Sequence, residues 1–425
     1  MTQPMNAAAS PDPGLYRALA GRTVLQVVSE LAGTEGVEND VADVASALVA
    51  AGARALVAGP AGPLVGELQA RGAEWLPLPS GRTNIARTLG NVPRLRCIIR
   101  AEKVALVHVR ARAPAWSAYL ASRFLGVPLM TTHSGPYAGN GLTARLYNGI
   151  MARGDIVLVS SQFTADLVAR RHKRARGRIL LVPRGIDLDA CDPAAVPPLR
   201  IAAQRAEWDA EPEERIVLLP ARFKPWKGQA VLVEAVQRLG EAAPVRLVLA
   251  GEARPGDAYL RRLARRIEAD GLAERVSAAE APQDMAAALM AADVVVLPST
   301  EPEAFARTAL QALALGRPLV VSAIGAQQEV IRLPPAMRTG WLVPPGDADA
   351  LAAALAEALA LDDAGREALA GEARRQVDLR FSRRREVAAT LGAYARAIGS
   401  AVRAPGDVQG NVQPGAPTTA GPDAG

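Results

Sequence analysis

The sequence predicts an α/β protein of two doubly wound domains, each a parallel sheet with helices on both faces. Short apolar runs alternate with helical patterns, and several of those patterns end at a glycine, as helices in such folds commonly do. The alternation stops over RGIDLDACDPAAVPPLR and resumes at ERIVLLPAR, which divides the chain in two. With 425 residues, of which 50% are hydrophobic, the chain can bury two cores.

The first domain is predicted over residues 15–190. Its strand-like runs are 23–31, 53–59, 73–79, 104–110, 127–133, 155–161 and 179–183. Helical spacing covers 37–51, 63–71, 84–102, 115–125, 142–153 and 163–172. Residues 191–212, rich in Pro and Asp, are predicted to be a linker.

The second domain is predicted over residues 213–380. Its strand-like runs are 214–222, 245–251, a weak run near Val276, 294–297, 318–323 and 340–344. Helical spacing covers 229–239, 259–270, 284–291, 305–316, 327–332, 348–361, 364–377 and 383–398. The tail 401–425, mostly Gly, Pro, Ala, Thr, Gln and Asp, is predicted to be disordered.

Composition narrows the classes of partner. The net charge of +6, concentrated in the Arg-rich stretch 82–112, favours anionic partners such as nucleotides or lipid phosphates, although a solvated helix face would show the same pattern. Aromatic residues are only 4%, too few for the stacking surfaces of nucleic-acid binders. Cys97 and Cys191 stand far apart, as expected of reduced thiols, and no run is long enough to span a bilayer. We expect a cytoplasmic protein, with peripheral contact to an anionic membrane as one further expectation.

Three loops follow strands and precede helices, where open α/β sheets bind ligands. LAGTEGVE, with Gly36, would let backbone approach a ligand closely, although an ordinary turn has the same composition and the GxGxxG fingerprint is absent. ARFKPWKG carries Arg222 and Lys227, two cations suited to a diphosphate. It is no P-loop, and two basic residues are also common on a solvated surface.

The third loop lies in VVVLPSTEPEAFARTALQ, residues 294–311. A helix that begins after a tight loop leaves N–H groups free for an anion. Glu303 beside such a site would repel phosphate alone, but it suits a phosphate joined to hydroxyl groups. Gln311 lies eight residues further, roughly 12 Å along a helix, within reach of ribose hydroxyls. An acidic cap and an exposed glutamine would also explain the spacing.

His133 ends a strand at the predicted cleft, which makes it the best histidine for a polar catalytic contact, whereas His108 and His172 fit core or surface positions. No metal site is predicted. Asp187 and Asp189 lie in the linker, Asp347 fits a helix cap, and no Cys/His ligand spacing is present.

Together these stretches resemble the retaining glycosyltransferases of family 4, which have the GT-B fold of two facing Rossmann-like domains. The resemblance runs from about residue 24 to 397 and is carried by TEGVE, VRARAPAWSA, TTHSGPY, VPRGIDL, RFKPWKG, ADVVVLPST, EPEAFARTALQALALGRPLVVS and GWLVPPGDADAL. It implies metal-independent sugar transfer from a nucleotide-sugar, such as a UDP-, GDP- or ADP-sugar, to an acceptor on the N-terminal domain. It also implies that the segment 381–400 crosses back onto the first domain.

By the same resemblance, Arg222 and Lys227 would hold the donor diphosphate. Glu303 opens the family's E-x7-E motif, with the backbone amides of Phe305-Ala306 near sugar and phosphate. The second Glu position is occupied by Gln311. Glu329 matches a Glu common in the family near the donor.

Four positions depart from the family's pattern. Glu35 replaces the first of two paired glycines, Gln311 replaces the second Glu, Ala306 replaces a glycine, and Ser134 separates His133 from the following glycine. A glutamine can still accept from a ribose hydroxyl, so we expect reduced donor affinity rather than its loss.

The leading hypothesis is a glycosyltransferase that builds a cell-envelope polysaccharide or lipopolysaccharide, acting on a glycan or lipid-linked acceptor. One alternative is a donor-binding or scaffolding protein that has lost catalysis, because all four departures lie at the predicted site. Another is a different GT-B enzyme, such as a nucleotide-sugar epimerase.

Overall fold

A computed structural model of the chain describes residues 13–32, 37–79, 85–135, 137, 141–240, 245–253, 256–331, 334 and 337–402. Gly36 of the first glycine loop lies outside these ranges. So does all of the predicted disordered tail except Ala401 and Val402.

The first domain is built on a seven-stranded parallel sheet in the order β3-β2-β1-β4-β5-β6-β7. Its strands are β1 Thr23–Val27, β2 Arg54–Gly59, β3 Glu74–Pro77, β4 Val104–Val109, β5 Leu129–His133, β6 Ile156–Val159 and β7 Ile179–Leu181. Its helices are α1 Pro13–Leu19, α2 Val37–Ala50, α3 Leu64–Ala70, α4 Ile85–Ala101, α5 Arg112–Leu125, α6 Leu142–Asn148 and α7 Gln162–Arg171. Buried clusters on both faces of this sheet form the first core.

The second domain repeats the plan with six parallel strands in the order β10-β9-β8-β11-β12-β13. Its strands are β8 Arg215–Pro220, β9 Val245–Ala250, β10 Val276–Ala279, β11 Val294–Leu297, β12 Leu319–Ser322 and β13 Trp341–Val343. The helices from the linker onward are α8 Pro198–Glu207, α9 Gln229–Leu239, α10 Ala258–Ala269, α11 Met285–Ala291, α12 Arg307–Ala314, α13 Ala348–Leu359, α14 Asp363–Phe381 and α15 Arg383–Val402. The predicted class of two doubly wound domains is confirmed.

Two predicted segments differ from the structure in detail. The Pro-rich stretch 191–212 contains α8, which begins after Pro197 with a proline at its first position, where the missing N–H costs nothing. Cys191 and Trp208 on either side of that helix are buried in the core of the second domain. The predicted helix 327–332 is a single 3₁₀ turn over Gln327–Val330.

Helices α14 and α15 carry the chain from the second domain to the first. α14 packs on α12, and α15 packs on α1, α2 and β4. At the crossing, Ile186 N–H donates to Phe381 O at 2.8 Å and Arg383 N–H donates to Ile186 O at 2.9 Å. His108, buried on β4, bonds Tyr394 of α15 through Nδ1 and Thr132 of β5 through Nε2, both at 2.7 Å. The last helix is therefore part of the first domain's core.

No helix in the part of the chain that the structure describes combines the length and apolarity needed to cross a bilayer. Within the same ranges, His, Cys, Asp and Glu side chains do not assemble in groups of three that could hold a metal ion. Asp187 instead accepts from the backbone of Asp189 at 3.0 Å, and Asp347 caps α13 through Ala350 N–H at 2.9 Å.

Candidate functional site

The loop between β8 and α9 is fixed against the loop after β11. Gly228 has φ +80°, and a Cβ there would lie 2.0 Å from the carbonyl oxygen of Pro298. Gln229, fully buried, donates from Nε2 to Arg222 O at 3.0 Å, and Thr300 N–H donates to Trp226 O at 2.8 Å. The two loops that carry the predicted donor-binding cations and the acidic motif are thus one structural unit.

Lys227 and Glu303, which belong to separate sequence motifs, form an ion pair. Lys227 Nζ lies 2.6 Å from Glu303 Oε2, and their side chains are 16% and 19% exposed. The ammonium also lies 4.5 Å from the centre of the Trp226 ring. A partly buried pair of this kind presents a cation and a carboxylate side by side at the end of the sheet, which suits a ligand carrying both phosphate and hydroxyl groups.

Two further side chains, which the sequence analysis missed, fix the other carboxylate oxygen. Ser299 Oγ donates to Glu303 Oε1 at 2.6 Å, and Gln327 Nε2 donates to the same atom at 3.1 Å. Both donors are almost completely buried. Glu303 is therefore held in one orientation by neighbours on two loops, which leaves Oε2 as the oxygen that faces Lys227.

Helix α12 begins later than predicted, at Arg307 rather than 305, and this places its N-terminus at the site. Ala306 is the N-cap residue, buried and without a side-chain oxygen to satisfy the first N–H groups. Phe305 lies half-buried just before it, and Gln311, half-buried, lies one turn into the helix. The uncapped N-terminus favours an anionic group beside Glu303.

The acidic loop also contacts the first domain. Ser160 Oγ and Ser161 Oγ both donate to Ala304 O, at 3.3 and 3.2 Å. Gly135, with φ +129°, packs so tightly that a Cβ on it would lie 2.1 Å from the Cβ of Ala304. The cleft between the domains is therefore closed at this point, and the loop that follows His133 touches the loop of Glu303.

Glu329 lies at the same junction but bonds to the first domain. Its Oε2 accepts from Gln162 N–H at 2.9 Å and its Oε1 accepts from Phe163 N–H at 2.7 Å. These are the first two amides of α7, so the carboxylate of one domain caps a helix of the other. This position gives Glu329 a role in domain closure that the sequence did not predict.

We expect Glu329→Ala to loosen this closure, because two charge-assisted hydrogen bonds across the domains are lost. Hydrogen exchange of the Gln162 and Phe163 amides should become about tenfold faster, the effect of about 1.4 kcal/mol at a helix N-cap. Gln328→Ala is the matched control, since Gln328 Nε2 donates to Gly325 O within its own loop. Equal protection in wild type and Glu329→Ala would contradict this role.

His133 is buried at the end of β5, and its Nδ1 has no hydrogen-bond partner within the described structure. Burial is the main cause that lowers its pKa to about 4, and the neighbouring His172, Arg171 and Arg112 lower it further. The imidazole is therefore uncharged at neutral pH. Its ring packs on Tyr137 with 4.6 Å between centroids.

Stability should fall as the pH drops below the ordinary histidine value of about 6.5. The unfolded chain then binds a proton at His133 that the folded chain excludes until about pH 4. Between pH 7 and pH 5, urea unfolding should show wild type losing about 2 kcal/mol more than His133→Asn. Identical losses in the two proteins would show that His133 is not held neutral by the fold.

Of the predicted residues, Lys227, Glu303 and Ala306 lie together, and His133 lies on the facing loop. Arg222 is exposed at the start of its loop. Its backbone carbonyl oxygen, rather than its side chain, bonds within the loop, by accepting from Gln229 Nε2. Among the missed residues, Ser299 had a usable signal in the sequence, since it lies two residues after strand β11 and four residues before Glu303. Gln327 had none, because its contact depends on the fold of a distant loop.

Both halves of the chain match models of known glycosyltransferase families. Residues 34–190 match Glycosyltransferase Family 4, and residues 214–361 match Glycosyl transferases group 1. A D-inositol 3-phosphate glycosyltransferase of Mycobacterium marinum is 30% identical over 256 residues, which cover 59% of this chain and 52% of that protein. The chain thus spans about half the length of this curated relative.

Solved structures share the fold over most of the chain. A glycosyltransferase from Rickettsia africae is 28% identical, with a TM-score of 0.79 over 89% of this chain and 99% of that chain. HepE of Anabaena in complex with UDP is 22% identical, with a TM-score of 0.71 over 89% of this chain and 100% of that chain. The predicted GT-B architecture is confirmed, and the chain belongs to the family 4 glycosyltransferases.

Proposed function

We propose that this protein transfers a sugar from a nucleotide-sugar to an acceptor bound by the N-terminal domain. The observation that carries the proposal is the ion pair of Lys227 and Glu303 beside the uncapped N-terminus of α12. In this assignment Lys227 and Arg222 bind the donor diphosphate, and Glu303 accepts hydrogen bonds from sugar hydroxyls. The amides at Phe305 and Ala306 lie near the sugar and phosphate.

Further along the cleft, Gln311 accepts from the ribose hydroxyls of the donor. Gly36 of the first glycine loop belongs to the donor site by resemblance alone, because it lies outside the described residues. The solved complexes of Anabaena HepE with UDP and with UDP-glucose support a nucleotide-sugar as the class of donor. We also propose that Glu329 contacts the donor. For this its carboxylate has to separate from the amides of α7.

The chemistry assigned to the site is electrostatic. As the bond between the anomeric carbon and the diphosphate oxygen breaks, negative charge develops on the diphosphate, where Lys227 and the α12 amides stabilise it. His133 is uncharged at neutral pH, so it offers one donor and one acceptor to a sugar hydroxyl. We infer retention of anomeric configuration and independence from metal ions from the family resemblance.

The acceptor is proposed to be a glycan or a lipid-linked molecule in the synthesis of a cell-envelope polysaccharide or lipopolysaccharide. The curated relatives carry the name D-inositol 3-phosphate glycosyltransferase, which makes a phosphorylated polyol the competing class of acceptor. We place the protein in the cytoplasm, with peripheral contact to anionic lipid. Phe124 on the basic first domain is exposed, and the Arg96 guanidinium lies 4.8 Å from the centre of its ring. An apolar side chain beside a cation on the surface supports that contact.

The test is a thermal-shift screen of UDP-, GDP- and ADP-sugars, followed by transfer assays with the donor that raises the melting temperature. Glycan, lipid-linked and phosphorylated polyol acceptors should be compared with water. Transfer to any of these acceptors is the expected result. Binding of a donor without transfer or hydrolysis across the panel would favour the donor-binding or scaffolding alternative.

A further inference from the structure

A second polar pocket lies on the N-terminal side of the cleft, apart from Lys227 and Glu303. It is a cavity of about 40 Å³ at the carboxyl edge of the first sheet, and Phe305 of the second domain contributes to its lining. Residues that follow β4, β5, β6 and β7 line it, together with α2 and α15. The side chains used below are Asp40, Arg110, Thr132, Arg184 and Glu386.

Arg110 is the unusual member of this pocket. The residue is 8% exposed, and its Nε and Nη2 have no hydrogen-bond partner within the described structure. Its nearest carboxylate is Asp40, at 4.0 Å from Nη1, which is too far for a hydrogen bond. A buried guanidinium with unsatisfied donors is costly, so its retention points to a ligand that supplies the acceptors.

The neighbouring carboxylates do not neutralise the positive charge of Arg110. Asp40 is engaged by Arg184, whose Nη2 lies 2.5 Å from Oδ2. Arg184 in turn lies over the Phe305 ring at 5.1 Å, beside the cleft. Glu386 accepts from Gly185 N–H at 2.8 Å, and burial together with Asp40 raises its pKa to about 7. Two guanidinium groups therefore face two carboxylates, and the raised pKa of Glu386 leaves that one partly protonated at neutral pH.

We propose that Arg110 and Arg184 form a binding site for an oxyanion, a phosphate or a carboxylate carried by the sugar acceptor. Guanidinium groups match the geometry of both oxyanions and bind them through paired hydrogen bonds. Thr132, near the end of β5, also lines the pocket, with its hydroxyl bonded to His108 Nε2 at 2.7 Å. The assignment of the oxyanion to an acceptor rests on the proposed function, whereas the site itself does not.

The test is a calorimetric titration with inorganic phosphate in one arm and acetate in the other. Both are run on full-length Lys227→Ala, so that the donor site no longer competes for anions. One saturable site is expected, and the tighter-binding anion identifies the chemistry. Arg184→Gln, added to that background, should weaken binding at least tenfold. Arg110→Gln should do the same if its circular dichroism shows that it folds.

Arg200→Gln is the matched control, because Arg200 pairs with Asp284 on the distant surface at 2.6 Å. It should leave anion binding unchanged. Absence of a saturable site for both anions, or equal affinity with and without Arg184→Gln, would overturn the proposal. Because the titration needs no turnover, a failure of sugar transfer with anion binding intact would count against the proposed function alone.

Discussion

Replacing Lys227 by alanine is expected to weaken binding of the nucleotide diphosphate and of the nucleotide-sugar by about 100-fold, or about 2.7 kcal/mol. The lost ammonium is the partly buried partner of Glu303, and no other cation of the described residues bonds that carboxylate. Removing it leaves the diphosphate beside an unopposed carboxylate, so repulsion adds to the lost attraction. Isothermal titration with the donor selected by the thermal-shift screen measures the effect.

Lys224→Ala is the matched control for this experiment. Lys224 is exposed on the same loop, three residues earlier, and it precedes the 3₁₀ turn Pro225–Lys227. Its removal changes the net charge equally but should change the affinity less than threefold, because exposed charges are screened. Equal effects of the two substitutions would reduce the role of Lys227 to general electrostatics.

Replacing Gly228 by alanine should destabilise the second domain by about 3 kcal/mol or more. Its φ of +80° disfavours any side chain, and the added Cβ would lie 2.0 Å from the carbonyl oxygen of Pro298. Since that oxygen belongs to the backbone, relief requires the loop of Lys227 to move away from the loop of Glu303. Donor affinity should therefore fall together with the urea midpoint.

The substitution Gly271→Ala separates the effect of the positive φ from the effect of the steric clash. Gly271 has a similar φ of +68°, but a Cβ there would meet nothing within 4 Å. This control should cost about 1 kcal/mol, the effect of the left-handed backbone alone. If Gly228→Ala costs no more than Gly271→Ala, the close packing of the two loops does not stabilise the site.

The order of strands and helices was predictable because each element repeats a local pattern. Short apolar runs bounded by turn residues, such as Val294–Leu297, are typical of strands in a covered parallel sheet, and this one is fully buried. Helix α8 escaped prediction because the proline that begins it sits in a stretch whose composition is typical of a linker. Local composition gave no sign that Trp208 would be buried at its end.

The candidate site was predictable where the chemistry lies in a loop next to a strand, as at Lys227 and Glu303. It was not predictable where a side chain acts at a distance along the chain. Gln327 reaches Glu303 across 24 residues, and Glu329 reaches α7 across 166. Such contacts depend on how loops and domains are placed, which no periodicity encodes. The polar pocket around Arg110 was missed for the same reason.

The central claim is that Lys227 binds the diphosphate while Glu303 binds the sugar. It is tested most directly by titrating Glu303→Gln with the nucleotide diphosphate and with the intact nucleotide-sugar. The substitution removes the carboxylate that competes for Lys227, so affinity for the diphosphate should stay the same or rise. Affinity for the nucleotide-sugar should fall at least tenfold relative to the diphosphate, because the sugar loses a charged acceptor. An equal loss for both ligands, or a loss for the diphosphate alone, would contradict the claim.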